Sequence, residues 1–400
     1  MANRSSRGTT GRERRRRNNT ADVKDSLPTP SWGIYVHLPW CPVLCHYCGF
    51  NKYLADNPPW APYTAALLRQ WESIAPLFPR AADSLFFGGG TPSLHPPALL
   101  AELVGALGLA EDAEISMEVL PGTLDKEGLH ALLDLGVTRL SVGVQTFQPR
   151  WARFLNRGHG PSESQDLLRA ITEMDFQSWS LDLIFALPGQ TLDDFQADLD
   201  EVIAHAPPHV SLYGLTAEQE TPYGQAVSQG RIHPPGDELW EAMYETAVER
   251  LGQVGLQRYE VSNFAQAGHR CRHNQNTWRG GYYAGLGAGA HGWLPDGRRT
   301  VGRPRPADFI QDPLTWEVLE MPEPREAATD FLLTTLRHSE GIPLSELAER
   351  GWSLRLQGIE ALLDGALLKR EGQHLVLQDR GWKLADGILA QLTKALVPTS

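Results

Sequence analysis

Short apolar segments alternate regularly with longer segments of helical periodicity from residue 31 onward. Six of the apolar segments have the length and composition of strands, at 33–38, 84–87, 114–119, 137–144, 179–186 and 209–215. Helical patterns occupy the gaps between them, at 61–75, 97–108, 124–135, 162–174 and 192–204. This alternation predicts right-handed crossovers and a partial six-stranded (β/α) barrel, an α/β fold whose functional groups lie at the carboxyl ends of the strands.

The pattern changes after about residue 300. Closely spaced prolines predict a linker over 301–324. Beyond it, three helical segments precede a strand pair near 367–368 and 374–377, which predicts a small winged-helix-like domain over 325–400. The predicted organisation is therefore a tail over 1–30, a barrel domain over 31–300, the linker and the C-terminal domain.

The net charge of −12 is unevenly distributed. Residues 1–24 hold eight basic and two acidic side chains, a local charge of +6, so the rest of the chain carries −18. Such an acidic body repels phosphate backbones, and the C-terminal domain has nine basic against ten acidic residues, so we expect no nucleic-acid partner. We expect the tail to be a solvated disordered arm; a transit peptide and a peripheral membrane tether are the alternatives.

No apolar run reaches the length of a membrane span, so we expect no transmembrane segment. The chain has only four cysteines, and three of them, Cys41, Cys45 and Cys48, lie within eight positions directly after the first strand. This usage indicates a reducing compartment, with a cytoplasmic location expected, and a metal or redox role. Thiolates at such short spacing hold iron–sulfur clusters. Zinc is the alternative, with Cys271, His37 or His46 as a fourth ligand.

The CxxxCxxC spacing after the first strand of a βα-repeat chain resembles the radical S-adenosylmethionine (SAM) superfamily. There, three cysteines bind a [4Fe–4S] cluster whose fourth iron is open to SAM. The segment 87–92 (FGGGTP) resembles the family's glycine motif, so Gly89, Gly90 and Thr91 are implied to contact SAM. The resemblance to the HemN/HemW branch implies SAM contacts at six further positions, which are Tyr35, Tyr47, Glu118, Gln145, Arg157 and Asp182.

HemN-type dehydrogenases carry another cysteine two positions after the third cluster cysteine, where this chain has Phe50. The chain is more similar to the HemW type, which implies a heme chaperone that delivers heme to a client hemoprotein. A His-Asn-x-x-Tyr-Trp motif of that type is present from His273, with Thr277 in place of the tyrosine. We expect His273 near the mouth of the barrel as a heme ligand. The alternatives are a coproporphyrinogen III dehydrogenase and a zinc-stabilised scaffold.

Overall fold

The structure is a computed structural model that describes residues 31–399, so the predicted tail lies outside the described residues. The larger part of the chain forms strands β1 (Gly33–Leu38), β2 (Trp40–Cys41), β3 (Tyr53–Leu54), β4 (Ala82–Gly89), β5 (Leu109–Val119), β6 (Arg139–Gln145), β7 (Ser178–Phe185), β8 (His209–Gly214), β9 (Gln257–Arg258), β10 (Asn263–Ala265), β11 (Tyr283–Leu286), β12 (His291–Trp293), β13 (Arg299–Gly302) and β14 (Trp316–Glu320). Its helices are α1 (Trp60–Ile74), α2 (Pro97–Ala106), α3 (Lys126–Asp134), α4 (Pro149–Phe154), α5 (Pro161–Thr172), α6 (Leu192–His205), α7 (Pro222–Ser228), α8 (Asp237–Gln253), α9 (Arg272–Trp278) and α10 (Pro306–Gln311).

The C-terminal part adds α11 (Pro324–Leu336), β15 (Ile342–Pro343), α12 (Leu344–Glu349), β16 (Trp352–Leu354), α13 (Glu360–Asp364), β17 (Leu368–Glu371), β18 (His374–Leu377), α14 (Asp379–Lys383), α15 (Ala385–Ala395) and β19 (Leu396–Pro398). The hairpin β17–β18 turns at Gly372, whose positive φ of 59° suits a residue without a side chain. Ala328 and Leu392 belong to a hydrophobic core of this part that is separate from the main one.

One twelve-stranded sheet forms the barrel, in the order β14-β13-β12-β11-β1-β4-β5-β6-β7-β8-β10-β9. The six predicted strands correspond to β1 and β4 to β8 and are parallel. The short β11 also pairs parallel to β1, and antiparallel strands extend the sheet at both ends. The predicted α/β barrel with a small helical C-terminal module is confirmed.

Alternate positions of the parallel strands have opposite character, because successive side chains of a strand point to opposite faces. One set is apolar and packs in the main core under the helices: Leu85, Phe87, Ile115, Met117, Leu140, Val142, Leu181, Leu183, Val210 and Leu212. The other set lines the inside and is largely polar: Ser116, Glu118, Arg139, Ser141, Ser180, Asp182, His209 and Ser211. The barrel interior is therefore a polar chamber, and the apolar packing between the outer face of the sheet and the helices stabilises the barrel.

The segment over 301–324 is not a linker, and this prediction was wrong. Strand β14 pairs with β13 in the main sheet, and α10 packs on α1. Phe309 of α10 is fully buried, with its ring 5.2 Å from that of Tyr63. Pro306 opens α10 and Pro324 opens α11, positions where proline favours a helix because the missing N–H has no partner there anyway.

Between residues 31 and 399, no helix has the length and apolar character needed to cross a bilayer.

Candidate functional site

The three clustered cysteines lie at the carboxyl end of β1, on a loop that its own backbone closes. Tyr53 N donates to Pro39 O and Ala55 N donates to Cys41 O, both at 2.7 Å. Trp40 stacks edge-on against Trp60 and Tyr63 and anchors the start of the loop in the core. The chain is thereby held in a fixed loop between two short paired strands, and Cys41, Cys45 and Cys48 all line the same cavity.

All four cysteines are free thiols. Burial raises the pKa of Cys41 to about 11, partly offset by a hydrogen bond from Thr91, and burial also raises the pKa of Cys48. Positive charge lies close by, because Arg157 Nη1 is 3.4 Å from Cys45 Sγ. Within the described residues no three His, Cys, Asp or Glu side chains meet at one point that could hold a single metal ion. A [4Fe–4S] cluster does not need such a point, because it takes one thiolate at each iron.

The glycine motif lets the end of β4 pack against the cysteine loop. A Cβ atom on Gly90 would lie 2.6 Å from the backbone carbon of Pro39, and Gly89 has a φ of 113°. Only glycine fits both requirements, so the strand end and the loop are in direct backbone contact. Gly89, Gly90 and Thr91 line the cavity, and Gly89 N donates to Glu118 Oε2 at 3.1 Å.

Two carboxylates face the middle of the cavity. Burial, and then the charge of Asp182, raise the pKa of Glu118 to about 7. Burial also raises the pKa of Asp182, and the hydroxyl groups of Ser141, Ser211 and Ser180 oppose that rise. The Asp182 carboxylate accepts hydrogen bonds from Ser141 Oγ at 2.8 Å and from Ser180 Oγ at 2.9 Å.

Gln145 and Arg157 complete the wall near the cysteines. Gln145 ends β6 with a φ of 69°, an unfavourable value for a residue with a side chain, and its buried Oε1 has no hydrogen-bond partner among the described residues. Arg157 Nη2 donates to Gly143 O at 2.6 Å, and Nη1 lies 3.4 Å from Tyr47 OH. These side chains line a cavity of about 560 Å³ that extends from the cysteines to the base of the barrel.

Comparisons with known proteins agree with this geometry. A model of the radical SAM superfamily matches residues 35–202. The chain is 39% identical to the heme chaperone HemW of Escherichia coli over 292 residues, covering 70% of this chain and 76% of that protein. The chain belongs to the HemN/HemW family of radical SAM proteins.

Other members extend this similarity along the chain. The heme chaperone HemW of Synechocystis is 36% identical, with 80% of this chain and 81% of that protein covered. The mitochondrial radical S-adenosyl methionine domain-containing protein 1 of Danio rerio is 32% identical, with 94% and 89% covered. The structure of coproporphyrinogen III oxidase (HemN) from Escherichia coli superposes with a TM-score of 0.76 at 22% identity over 91% of this chain and 90% of that one, a likeness of fold.

Of the residues that the family resemblance implied, Tyr35 and His273 do not line the cavity. The Tyr35 hydroxyl instead lies 3.0 Å from His37 Nδ1, behind the Gly88 backbone. The other implied side chains and the three cysteines lie together around the cavity. Their roles in binding SAM and a cluster stay predictions.

The expectation that His273 lies near the mouth of the barrel was wrong. Its Nδ1 is 3.0 Å from Ser84 Oγ, and it packs on Gly33, so it lies at the amino ends of β1 and β4, opposite the cysteines. The reason is strand direction: β10 runs antiparallel to β8, so the chain leaves β10 at the amino end of the barrel, where α9 follows. Burial lowers the pKa of His273 to about 4.

Several polar cavity residues escaped the sequence analysis, among them Arg139, Ser141, Ser180, His209 and Ser211. The three serines share a pattern, a serine between apolar residues in three successive strands, at 140–142, 179–181 and 210–212. Ser141 pairs with Ser180 and Ser211 pairs with Asp182, so the three hydroxyl groups lie on one face of the sheet and predict a polar layer inside the barrel.

Proposed function

We propose that the protein is a HemW-type heme chaperone. It holds a [4Fe–4S] cluster on Cys41, Cys45 and Cys48, binds SAM in the adjoining cavity, and delivers heme to a hemoprotein. The observation that carries the first two parts is that three free thiols share one cavity with Glu118, Gln145, Arg157 and Asp182. The printed names of the curated relatives support the third part.

The residues at the cysteine end fit a cluster. The three thiols are reduced and line one cavity wall, and the Arg157 guanidinium lies beside Cys45. When bound, the cluster supplies a redox centre with one iron open to the amine and carboxylate of SAM, as the family resemblance implies. Arg157 neutralises charge there, and Trp40 and the Gly90 contact hold the loop in place.

The middle of the cavity fits the remaining groups of SAM. An ammonium group beside Glu118 favours the ionised carboxylate, so binding lowers a pKa that burial has raised to about 7. Gln145 offers an unpaired buried amide oxygen as an acceptor for N–H or O–H groups. Asp182 has acceptor capacity for ribose hydroxyl groups beyond the bonds it takes from the serines.

A radical SAM coproporphyrinogen III dehydrogenase is the second candidate. The shape of the cavity supports it, because the polar cavity extends from the cysteines well towards the base of the barrel and has room for a substrate side chain. Phe50 weighs against it, because HemN-type proteins carry a cysteine there, and the Phe50 side chain is 68% exposed at the cavity rim.

One experiment separates the two functions. The anaerobically reconstituted protein, with SAM and a reductant, is given heme in one assay and coproporphyrinogen III in the other. We expect saturable heme binding, seen as a shifted Soret band, and no protoporphyrinogen IX. Formation of protoporphyrinogen IX would establish the dehydrogenase and overturn the chaperone.

The position of His273 adds a second readout. Because its imidazole is buried at the base of the barrel, we expect His273→Ala to destabilise the fold and to leave the heme affinity of the folded protein unchanged. Loss of the Soret shift in a folded His273→Ala protein would restore His273 as the heme ligand and require α9 to move aside.

A further inference from the structure

A chain of hydrogen bonds runs from the base of the barrel to Asp182. His209 lies between Ser180, 3.0 Å from its Nδ1, and Tyr259, 2.9 Å from its Nε2. Ser180 Oγ continues the chain to Asp182 Oδ1 at 2.9 Å. None of the SAM contacts implied by the family resemblance is His209 or Tyr259.

The partners at both ends of this hydrogen-bond chain, Tyr259 and Ser180, select the same tautomer of His209. The Tyr259 oxygen accepts the Cys271 N–H at 3.3 Å, and among the described residues the other bonded group is His209 Nε2, which therefore accepts the phenol hydrogen. Ser180 has one hydroxyl hydrogen and donates it to Asp182, so its oxygen accepts from His209 Nδ1–H. Every hydrogen in the chain thus points towards the Asp182 carboxylate.

Burial, with nearby positive charge, keeps the His209 imidazole neutral. Burial, together with the positive charge of Arg139, lowers the pKa of His209 well below its usual value. The backbone of Tyr259 is held from the C-terminal part, because Ser339 N donates to Tyr259 O at 2.8 Å. Asp182 itself faces Arg139, which favours its ionised form, and it interacts electrostatically with Glu118 and Tyr213.

We propose that His209 and Tyr259 are positioning residues that act through Ser180 to orient the Asp182 carboxylate for the hydroxyl groups of its ligand. This inference rests on the proposed function, in which Asp182 binds SAM. Without His209, the Ser180 hydroxyl is free to turn to Ser211 Oγ, 3.0 Å away, and Asp182 loses a fixed donor.

The test is a double-mutant cycle on SAM affinity, measured by calorimetry with the anaerobically reconstituted protein. His209→Leu should weaken SAM binding about tenfold, the effect of one hydrogen bond to a charged group. In an Asp182→Asn background the same change should cost less than about twofold, because the residue acts through Asp182. His209→Asn keeps an N–H near the Nδ1 position and should restore binding to within about threefold of wild type.

Tyr259→Phe supplies a second perturbation if His209→Leu fails to fold, and it should weaken SAM binding only when Asp182 is present. Tyr223→Phe is the matched control, because the buried Tyr223 hydroxyl has no hydrogen-bond partner among the described residues. Equal losses in both backgrounds would overturn the inference and indicate a packing role. Failure of the wild-type protein to bind SAM would instead overturn the proposed function, and with it the premise of the cycle.

Discussion

Glu118→Gln tests the electrostatics of the cavity most sharply. Burial and the neighbouring Asp182 raise the pKa of Glu118 from 4.5 to about 7, so the folded protein favours the neutral carboxyl. The stability that this preference contributes is fully present below the ordinary pKa and is lost as the pH rises through the raised value. A glutamine keeps an oxygen for the Gly89 N–H but cannot ionise.

The magnitude follows from the two pKa values. Their difference corresponds to a loss of roughly 3 kcal/mol from the free energy of unfolding of the wild-type protein once the carboxylate is fully ionised. Because Glu118 lines the cavity and its side chain is only partly buried, solvent screening reduces this value, and we expect about 2 kcal/mol. The free energy of unfolding of the variant, relative to wild type, should therefore increase by about 2 kcal/mol as the pH rises from about 4.5 to about 8.

Urea unfolding of the metal-free protein at a series of pH values across this window measures the difference. Glu102→Gln, which changes an exposed carboxylate on α2, is the control and should show a nearly constant difference. A flat difference for Glu118→Gln, equal to that of the control, would refute the claim that Glu118 is held neutral in a buried site.

Three further predictions concern the cluster, the ligand and the fold. Single replacement of Cys41, Cys45 or Cys48 by alanine should remove most of the bound iron, measured by metal analysis. Cys271→Ala should leave the iron content nearly unchanged, because Cys271 lies on the cavity floor beside Glu114. An equal loss of iron in Cys271→Ala would contradict this prediction. Asp182→Ala should lower SAM affinity roughly 10- to 150-fold in calorimetry with the cluster spectrum intact, and an unchanged affinity would remove Asp182 from the SAM site. Phe309→Ala should cost about 3–5 kcal/mol of unfolding free energy in urea, and a cost near zero would mean that 301–324 is a linker after all.

The parallel strands were predictable because each places apolar residues on the helix-covered face, and this gives a strong local pattern. The cysteine loop and the FGGGTP segment were equally visible, since their spacing is local in sequence. Strands β11 to β14 were not predicted, because they are three to five residues long and are defined by pairing with distant strands.

The position of His273 depends on the direction of β10, which residue patterns do not encode. The hydrogen-bond chain through His209 likewise depends on contacts between residues 50 positions apart. Single-sequence patterns therefore located the cavity wall but not its floor.

The most direct test of the central claim, that the cysteines and the polar cavity form one site, is Mössbauer spectroscopy of the isotopically enriched [4Fe–4S] protein with and without SAM. We expect SAM to change the signal of a single iron of the cluster, because the proposed site provides three cysteine ligands for four irons. We expect Asp182→Ala to require more SAM for the same change. A spectrum that SAM leaves unaltered in the wild-type protein would contradict the claim.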